Sequence, residues 1–300
     1  MRGLKQSPWI VHYDASSCNG CDIETLACLT PLYDVERLGV VNTGNPKHAD
    51  IFLVTGAVNQ QSMTVIANIY RQLPEPNVVI AVGACASSGG IFRDCYNIRG
   101  GADTIVPVDV YQPGCPPRPE AIIDAVVKGL GVLEQKHNLL ATAKDGIDKV
   151  LYSHAERGDA PEILALRKAT FQAEAFTHGD DSFPALQQTQ VDVEKEFDSK
   201  LFFKALVNGK IIGAAASEQH GDTTTIGAVT VHPYFRDRGV AARLLKEIEQ
   251  ALPAAKRFET VAAHRNEALL RELAGSGYQP FRTETISPGI NWVHVTKERP

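Results

Sequence analysis

A chain of 300 residues, 44% of them hydrophobic, is long enough for two ordinary domains with separate cores. Its net charge of −5 comes from 35 acidic and 30 basic residues spread through both halves, which excludes a nucleic-acid surface built on a basic stripe. Six cysteines are too few and too irregularly spaced for a disulfide framework. We therefore expect a folded protein with reduced cysteines and no nucleic-acid partner.

The N-terminal segment, residues 1–8, has neither the apolar stretch of a secretory signal nor a twin-arginine pair. No uncharged apolar run reaches the length of a membrane span. These features favour a cytoplasmic protein that attaches to the face of a membrane only through its partners.

The first half alternates short apolar runs with helical patterns. Strands are predicted at 9–13, 51–54, 77–81 and 104–108, and helices at 22–30, 61–72 and 119–135. Continuous apolar runs of this length are typical of strands buried on both faces of a parallel sheet. The succession predicts a doubly wound α/β domain with a parallel sheet.

Four cysteines lie in three loops that follow predicted strands. Cys18 and Cys21 form a C-x-x-C after the first strand, Cys85 follows the strand at 77–81, and Cys115 follows the strand at 104–108. Loops at the carboxyl ends of parallel strands gather at one edge of the sheet. We therefore predict that the four thiolates form a metal site at that edge.

The spacing favours an iron–sulfur cluster over zinc, because zinc sites commonly use two short knuckles, whereas Cys85 and Cys115 lie on separate loops. Structural zinc and a set of buried free cysteines remain open alternatives. Cys28, inside an apolar helical pattern, and Cys95, in an irregular stretch, are expected not to be ligands.

The cysteine blocks resemble the small subunit of membrane-bound, energy-converting [NiFe] hydrogenases, a family similar to the 20 kDa-type subunit of complex I. The match covers roughly residues 5 to 137, and four blocks agree in order, at 18–24, 29–37, 83–90 and 113–117. The complex I relatives carry adjacent cysteines in the first block, so the C-x-x-C favours the hydrogenase side. The resemblance implies a flavodoxin-like fold and one [4Fe–4S] cluster, proximal to the NiFe site of a large subunit. The implied ligands are Cys18, Cys21, Cys85 and Cys115.

The chain has no cysteine after Cys115, so one cluster is expected, and electrons must reach it from another protein. The resemblance implies an oxidoreductase subunit whose partners are a NiFe large subunit, a ferredoxin-like iron–sulfur subunit and membrane subunits. Glu24, beside the first cysteine loop, is expected either to move protons or to complement the helix dipole. Two other functions stay open: a cluster subunit of a complex I-like quinone or sulfur reductase, and an N-acetyltransferase with a redox-sensing cysteine domain.

The pattern restarts near residue 146, which predicts a first domain at 1–140, a linker at 141–149 and a second domain at 150–300. A helix is predicted at 160–167, and the Asn208-Gly209 pair between apolar runs at 202–207 and 211–216 predicts a hairpin. A further strand at 224–231 leads into a basic turn that contains glycine, followed by a helix. Such a turn offers backbone amides and a helix N-terminus to an anion.

Over roughly residues 150 to 298, the second half resembles the GNAT family of N-acetyltransferases, which implies a mixed α/β fold that binds acetyl-CoA. The residues implied to bind acetyl-CoA are Val229, Val231, Arg236, Arg238, Gly239, Val240, Ala241 and Asn266.

The second half departs from the GNAT pattern at the residues that perform catalysis. Leu273 stands where the family commonly has its general-acid tyrosine, and Thr224 or Thr225 stands where a glutamate is often found. The remaining candidates for a base are Glu218, His220 and His232, each of which is also explained as an ordinary surface or turn residue. We expect acetyl-CoA binding with slow or no acetyl transfer.

Overall fold

The computed structural model describes residues 7–145, 150–178, 184–287 and 290–299. The chain divides into two compact units, Met1–Ala141 and Thr142–Pro300, and each has its own main sheet. The start of the N-terminal segment, residues 1–6, and part of the predicted linker, residues 146–149, lie outside the described residues. Among the helices of the described ranges, none has the length and apolar character needed to cross a bilayer.

The first unit contains seven strands and four α-helices within its described residues, and the last of these helices continues past Ala141 into the second unit. They are β1 Trp9–Asp14, α1 Gly20–Ala27, β2 Val41–Asn42, β3 Ile51–Thr55, β4 Val58–Asn59, α2 Ser62–Gln72, β5 Val78–Val82, α3 Gly83–Ser88, β6 Ile98–Gly100, β7 Val110–Gln112 and α4 Pro119–Asp145.

Five of these strands form a parallel sheet in the order β2-β1-β3-β5-β7. Every residue of β3 and β5 is buried, so helices and loops cover both faces of the sheet. Cys28, directly after α1, and Ile122 and Leu133 of α4 belong to one core cluster with buried residues of the strands. The prediction of a doubly wound parallel α/β domain is confirmed.

The prediction of a strand at 104–108 is wrong. Residues Ala102–Thr104 form a turn of 3₁₀ helix, and the Val106 amide bonds to the Ala102 carbonyl. The strand that pairs with β5 is β7, three residues long and immediately before Pro113. Pro107 has no amide hydrogen to give to a ladder, and pairing begins at Asp109, whose amide bonds to the Val79 carbonyl at 2.9 Å.

Two helices of the first unit differ in length from their predictions. The helix predicted at 22–30 begins earlier, at Gly20, and ends earlier, at Ala27. The helix predicted at 119–135 continues to Asp145 and so enters the predicted linker. The continued run of good helix formers beyond residue 135, without proline or glycine, accounts for the extension.

The second unit contains eight strands and five α-helices within its described residues. They are β8 Leu151–His154, α5 Ala160–His178, α6 Pro184–Gln187, α7 Gln190–Glu196, β9 Leu201–Val207, β10 Lys210–His220, β11 Thr223–Ile226, β12 Thr230–Val231, α8 Val240–Ala251, β13 Arg257–Ala263, α9 Glu267–Gly275, β14 Gln279–Ser287 and β15 Ile290–Glu298.

All eight strands form one mixed sheet, in which seven follow the order β14-β15-β13-β11-β10-β9-β8 and β12 pairs with β10. β11 and β13 are parallel. The predicted hairpin is confirmed, because β9 and β10 pair antiparallel around Asn208 and Gly209. Both turn residues have positive φ angles, 49° and 76°, as a two-residue hairpin turn of this kind requires.

The single strand predicted at 224–231 is broken into two. β11 pairs with the end of β10 and with β13, whereas β12 pairs with β10 at Gly213 and Ala214. Between the two strands, the Gly227 amide still bonds to the Ala216 carbonyl at 2.8 Å, but Ala228 and Val229 are outside the ladder. The break opens the sheet beside the start of α8, where the second candidate site lies.

Candidate functional site

The first candidate site is built on three connections at the carboxyl edge of the parallel sheet. Cys18 lies in the loop after β1, and Cys21 lies in the first turn of α1. Cys85 lies in α3, which starts directly at the end of β5, and Cys115 follows β7 by three residues. Because the strands are parallel, these connections leave the sheet at the same edge.

Direct contacts join the three connections. The Ala84 amide donates to the Gly114 carbonyl at 2.8 Å, which ties the start of α3 to the loop that carries Cys115. A Cβ atom built on Gly20 would lie 3.5 Å from Cys18 Sγ and 3.6 Å from Pro116, so the first and third connections also meet. The structure therefore brings the predicted cysteine loops together.

Glycines give the thiols room at this edge. A Cβ atom on Gly83 would lie 2.4 Å from Cys21 Sγ, and one on Gly90 would lie 2.9 Å from Cys85 Sγ. Both glycines have positive φ, 88° and 55°, which other residues rarely adopt. The backbone thus approaches two of the four thiols more closely than any residue with a side chain would allow.

The thiols also influence each other's protonation. Burial raises the pKa of Cys21 to about 11, and Cys85, Asp22, Cys18 and Cys115 act in the same direction. Burial likewise raises the pKa of Cys85, with contributions from Cys115 and Cys18. Across the described ranges, no group of three or more histidine, cysteine, aspartate or glutamate side chains is arranged to hold a single metal ion.

A polar network lies behind the first cysteine loop and was missed by the sequence analysis. The Asp22 carboxylate accepts a hydrogen bond from Thr55 Oγ1 at 2.5 Å and another from the Ser17 hydroxyl, and it lies 3.1 Å from His12 Nε2. Burial lowers the pKa of His12, although the nearby Asp22 and Asp14 oppose this effect. A histidine and a threonine within otherwise apolar strands were the available signal.

The other residues singled out in the first unit lie as follows. Cys28 is buried in the core, and its Sγ lies 3.3 Å from the Glu24 carbonyl and 3.5 Å from the Pro119 carbonyl. Burial raises the pKa of Cys28 to about 11. Cys95 is exposed, and Glu24 is half-buried on α1.

Large apolar side chains are exposed on and just after the two cysteine-bearing helices. Ile23 and Leu26 lie on α1 and Leu32 follows it, whereas Ile91 and Tyr96 follow α3. Leu32 is 82% exposed and Ile91 is 85% exposed, values that are unusual for residues of this type. Side chains of this kind on the elements that carry the thiols are typical of a protein-binding surface.

The second candidate site is a pocket beside the break between β11 and β12. Five of the eight residues predicted to bind acetyl-CoA line it: Val229, Val231, Arg236, Ala241 and Asn266. Thr170 and Glu272 line it as well, and neither was predicted. Thr170 comes from α5 and Glu272 from α9, so only the folded chain brings them to the loop.

The remaining three predicted residues are in the turn that starts α8. Val240 is fully buried in the core. The Arg238 guanidinium donates to the carbonyl of Ala143. Gly239 has a φ of 75°, and its amide donates to Glu272 Oε1 at 3.0 Å, so the amide points toward an anionic group.

The residues considered for acetyl transfer are placed as follows. Leu273 is 1% exposed, inside the core side of α9. Glu218 and His220 lie 3.3 Å apart at the exposed end of β10, and His232 Nδ1 accepts from the Tyr234 amide. Thr224 is fully buried, and its hydroxyl is the one buried side-chain polar atom without a hydrogen bond in the described part of the chain, whereas Thr225 is exposed.

Family comparisons match the two halves separately. Residues 18–129 match the family described as NADH ubiquinone oxidoreductase, 20 kDa subunit. Residues 161–274 match the acetyltransferase (GNAT) family. The resemblances drawn from the cysteine blocks and from the second half are therefore confirmed.

Individual relatives match the first half. A probable membrane-bound hydrogenase subunit of Pyrococcus furiosus is 53% identical over 127 residues, which are 42% of this chain and 76% of the relative. Formate hydrogenlyase subunit 7 of Escherichia coli is 46% identical over 45% of this chain and 53% of its own length. One chain of the solved archaeal membrane-bound sulfane sulfur reductase is 40% identical in sequence to the present protein, with a TM-score of 0.40. The match covers 44% of the present protein and 73% of the reductase chain.

Proposed function

Because the chain belongs to the NADH ubiquinone oxidoreductase 20 kDa subunit family and carries a GNAT acetyltransferase domain, we propose that its first unit is an electron-transfer subunit. One [4Fe–4S] cluster is held by Cys18, Cys21, Cys85 and Cys115. The observation that carries this proposal is the meeting of three cysteine-bearing connections at one sheet edge.

The residues at this edge fit the cluster. Four cysteine thiolates are the usual ligand set of a [4Fe–4S] cluster, and these four cysteines would hold it. Because Gly83 and Gly90 have no side chains, the backbone lies close to Cys21 and Cys85. Backbone amides at this distance can donate hydrogen bonds to sulfur. When bound, the cluster takes up and releases single electrons.

The chain's own residues hold the ligands in place. Asp22 binds Ser17 and Thr55, which fastens the loop of Cys18 and the start of α1 to the end of β3. Burial of Cys21 limits the access of water to that ligand. Glu24, half-buried three residues after Cys21, is the proposed residue for proton transfer.

Membership in the family supports the proposal of partner subunits. Relatives are named as subunits of a membrane-bound hydrogenase and of formate hydrogenlyase. We place a NiFe large subunit against the cysteine edge, where Ile23, Leu26 and Ile91 are exposed. A ferredoxin-like iron–sulfur subunit delivers or removes electrons, and membrane subunits hold the complex at the cytoplasmic face.

A complex I-like quinone or sulfur reductase is the second candidate for the whole assembly. The match to the NADH ubiquinone oxidoreductase 20 kDa subunit family favours it, whereas the 53% identity to a hydrogenase subunit and the C-x-x-C motif favour the hydrogenase. The large subunit decides between them: two C-x-x-C pairs in the co-purifying partner indicate a NiFe centre, and their absence indicates the reductase.

The cluster is tested on anaerobically purified protein. Replacing any of the four proposed ligands by serine should remove most of the visible absorption and the EPR signal of the reduced state. Cys95→Ser is the matched control, because Cys95 is an exposed cysteine of the same unit. Stoichiometric zinc with almost no iron in the wild-type protein would contradict the proposal.

For the second unit, we propose acetyl-CoA binding with slow or no acetyl transfer. The pocket places Val229, Val231 and Asn266 around the turn whose Gly239 amide points toward an anion. Catalysis needs a base and usually an acid, and the position of the usual acid holds the buried Leu273. Isothermal titration with acetyl-CoA tests binding, and thiol release with a small amine tests transfer. Brisk thiol release would contradict the argument from Leu273.

In this proposal the first unit carries the redox chemistry, and the second unit is an appended cofactor-binding domain. The opposite assignment, a free N-acetyltransferase with a redox-sensing cysteine domain, is disfavoured by the complete set of four cysteines and their glycines. A protein that purifies from its native extract without an oxidoreductase partner would favour that assignment instead.

A further inference from the structure

The Gly239 amide at the start of α8 already has an anionic partner within the chain. It donates to Glu272 Oε1 at 3.0 Å, and Glu272 lies on a different helix, α9. The first amides of a helix have no partner within the helix and lie at the positive end of its dipole, so they attract negative groups. The Glu272 carboxylate therefore occupies the kind of position that a phosphate would take.

The surroundings add to this effect. Glu272 lines the same pocket as Arg236 and Asn266. The Arg236 guanidinium donates to the Thr170 carbonyl at 3.1 Å, and the Arg238 guanidinium donates to the Ala143 carbonyl. Both arginines of the turn thus donate to neutral backbone carbonyls, whereas the Gly239 amide donates to the negative Glu272 carboxylate.

We propose that Glu272 is a specificity-determining residue of this pocket, which makes acetyl-CoA binding depend on displacement of its carboxylate from the Gly239 amide. The proposal rests on acetyl-CoA being the ligand of the second unit. One N–H group cannot serve a carboxylate and a diphosphate at once, and the two negative groups repel each other at short range. Glu272 is only half-buried, so its side chain can move into water when a ligand enters.

The test compares the full chain with two variants by isothermal titration with acetyl-CoA. Glu272→Gln should lower the dissociation constant by about tenfold, because a charge-assisted bond that competes with the ligand is lost. Glu267→Gln is the matched control, since it removes the same charge from an exposed position in the first turn of the same helix. That control should leave the dissociation constant within about twofold of the wild-type value.

A second ligand tests whether the effect of Glu272 depends on the diphosphate of acetyl-CoA. S-acetylpantetheine carries the same thioester without a diphosphate, so Glu272→Gln should not change its binding. Glu272→Ala carries the same expectations as Glu272→Gln and replaces it if the glutamine variant does not fold.

Three outcomes overturn the inference: unchanged or weaker acetyl-CoA binding by the Glu272 variants, an equal gain in Glu267→Gln, or an equal gain with S-acetylpantetheine. Acetyl-CoA binding by the wild-type chain still stands in each of these cases. If neither the wild-type chain nor any variant binds acetyl-CoA at about a millimolar, well above common cofactor affinities, both the inference and the proposed ligand are wrong.

Discussion

Gly83 lies directly against the thiol of Cys21. A Cβ atom at residue 83 would be 2.4 Å from Cys21 Sγ, and Cβ contacts shorter than 3.0 Å essentially do not occur in proteins. The same glycine has a φ of 88° and is the first residue of α3, directly after β5. One residue without a side chain thus allows the second connection to close over the first.

We predict that Gly83→Ala destabilises the first unit and lowers the iron content of the protein. The positive φ and the contact with Cys21 together should cost about 2–4 kcal/mol of unfolding free energy. Chemical denaturation and iron analysis measure the two effects. Gly131→Ala is the control, because Gly131 lies within α4 with nothing within 4 Å of its added Cβ, and it should be neutral or stabilising.

The hydrogen bond between Thr55 and Asp22 should stabilise the cysteine edge. Thr55 is fully buried, so Thr55→Val removes one of the hydrogen bonds to the Asp22 carboxylate and should cost about 1–3 kcal/mol. A double-mutant cycle with Asp22→Asn should give a coupling energy above about 0.5 kcal/mol. Urea unfolding in a Trp292→Phe background, in which Trp9 reports on the first unit, measures it. Strict additivity would show that the bond contributes nothing.

The second unit should lose stability as the pH falls through the range in which Glu196 titrates. Burial raises the pKa of Glu196, but the bonds from Arg167, at 3.0 and 3.1 Å, and the charge of Lys200 outweigh burial, so its pKa lies below the ordinary value of 4.5. A lowered folded-state pKa stabilises the protein above the unfolded-state pKa. That stability is lost progressively below about pH 4.5, as Glu196 becomes protonated in the folded state too.

Glu196→Gln should therefore cost about 2 kcal/mol at pH 7 and flatten the dependence of stability on pH below 5. Asp198→Asn is the control: it removes an ion pair with Arg157 in which both side chains are more than half exposed. Exposed pairs contribute about 0–1 kcal/mol, so this variant should change little. Thermal unfolding at several pH values compares the two variants, and identical profiles would contradict the assignment to Glu196.

Replacing Gly239 should affect stability and acetyl-CoA binding through its backbone conformation and not through a steric clash. Its φ is 75°, and nothing lies within 4 Å of an added Cβ. Gly209 in the hairpin turn has a φ of 76° and equally open space, which makes it a matched control. Both alanine variants should lose about 1 kcal/mol of stability. Only Gly239→Ala should also weaken acetyl-CoA binding, as titration of the two variants can show.

Local sequence was sufficient to predict many of the secondary-structure elements of this protein. Apolar runs and turn residues predicted the parallel sheet of the first unit and the Asn208-Gly209 hairpin of the second. The cysteine loops were predicted to follow strands, and Cys115 does follow one, although that strand is β7 and not the predicted run at 104–108. These features depend on residues that are close in sequence, so their periodicity and turn chemistry are visible there.

The tertiary structure alone decided which distant residues meet. The contact of Gly83 with Cys21 joins residues 62 positions apart. The bond from Thr55 to the Asp22 carboxylate joins the end of β3 to the first turn of α1. The bond from Gly239 to Glu272 joins the first turn of α8 to another helix. No local propensity encodes such pairs, because each depends on how separate elements pack once the chain has folded.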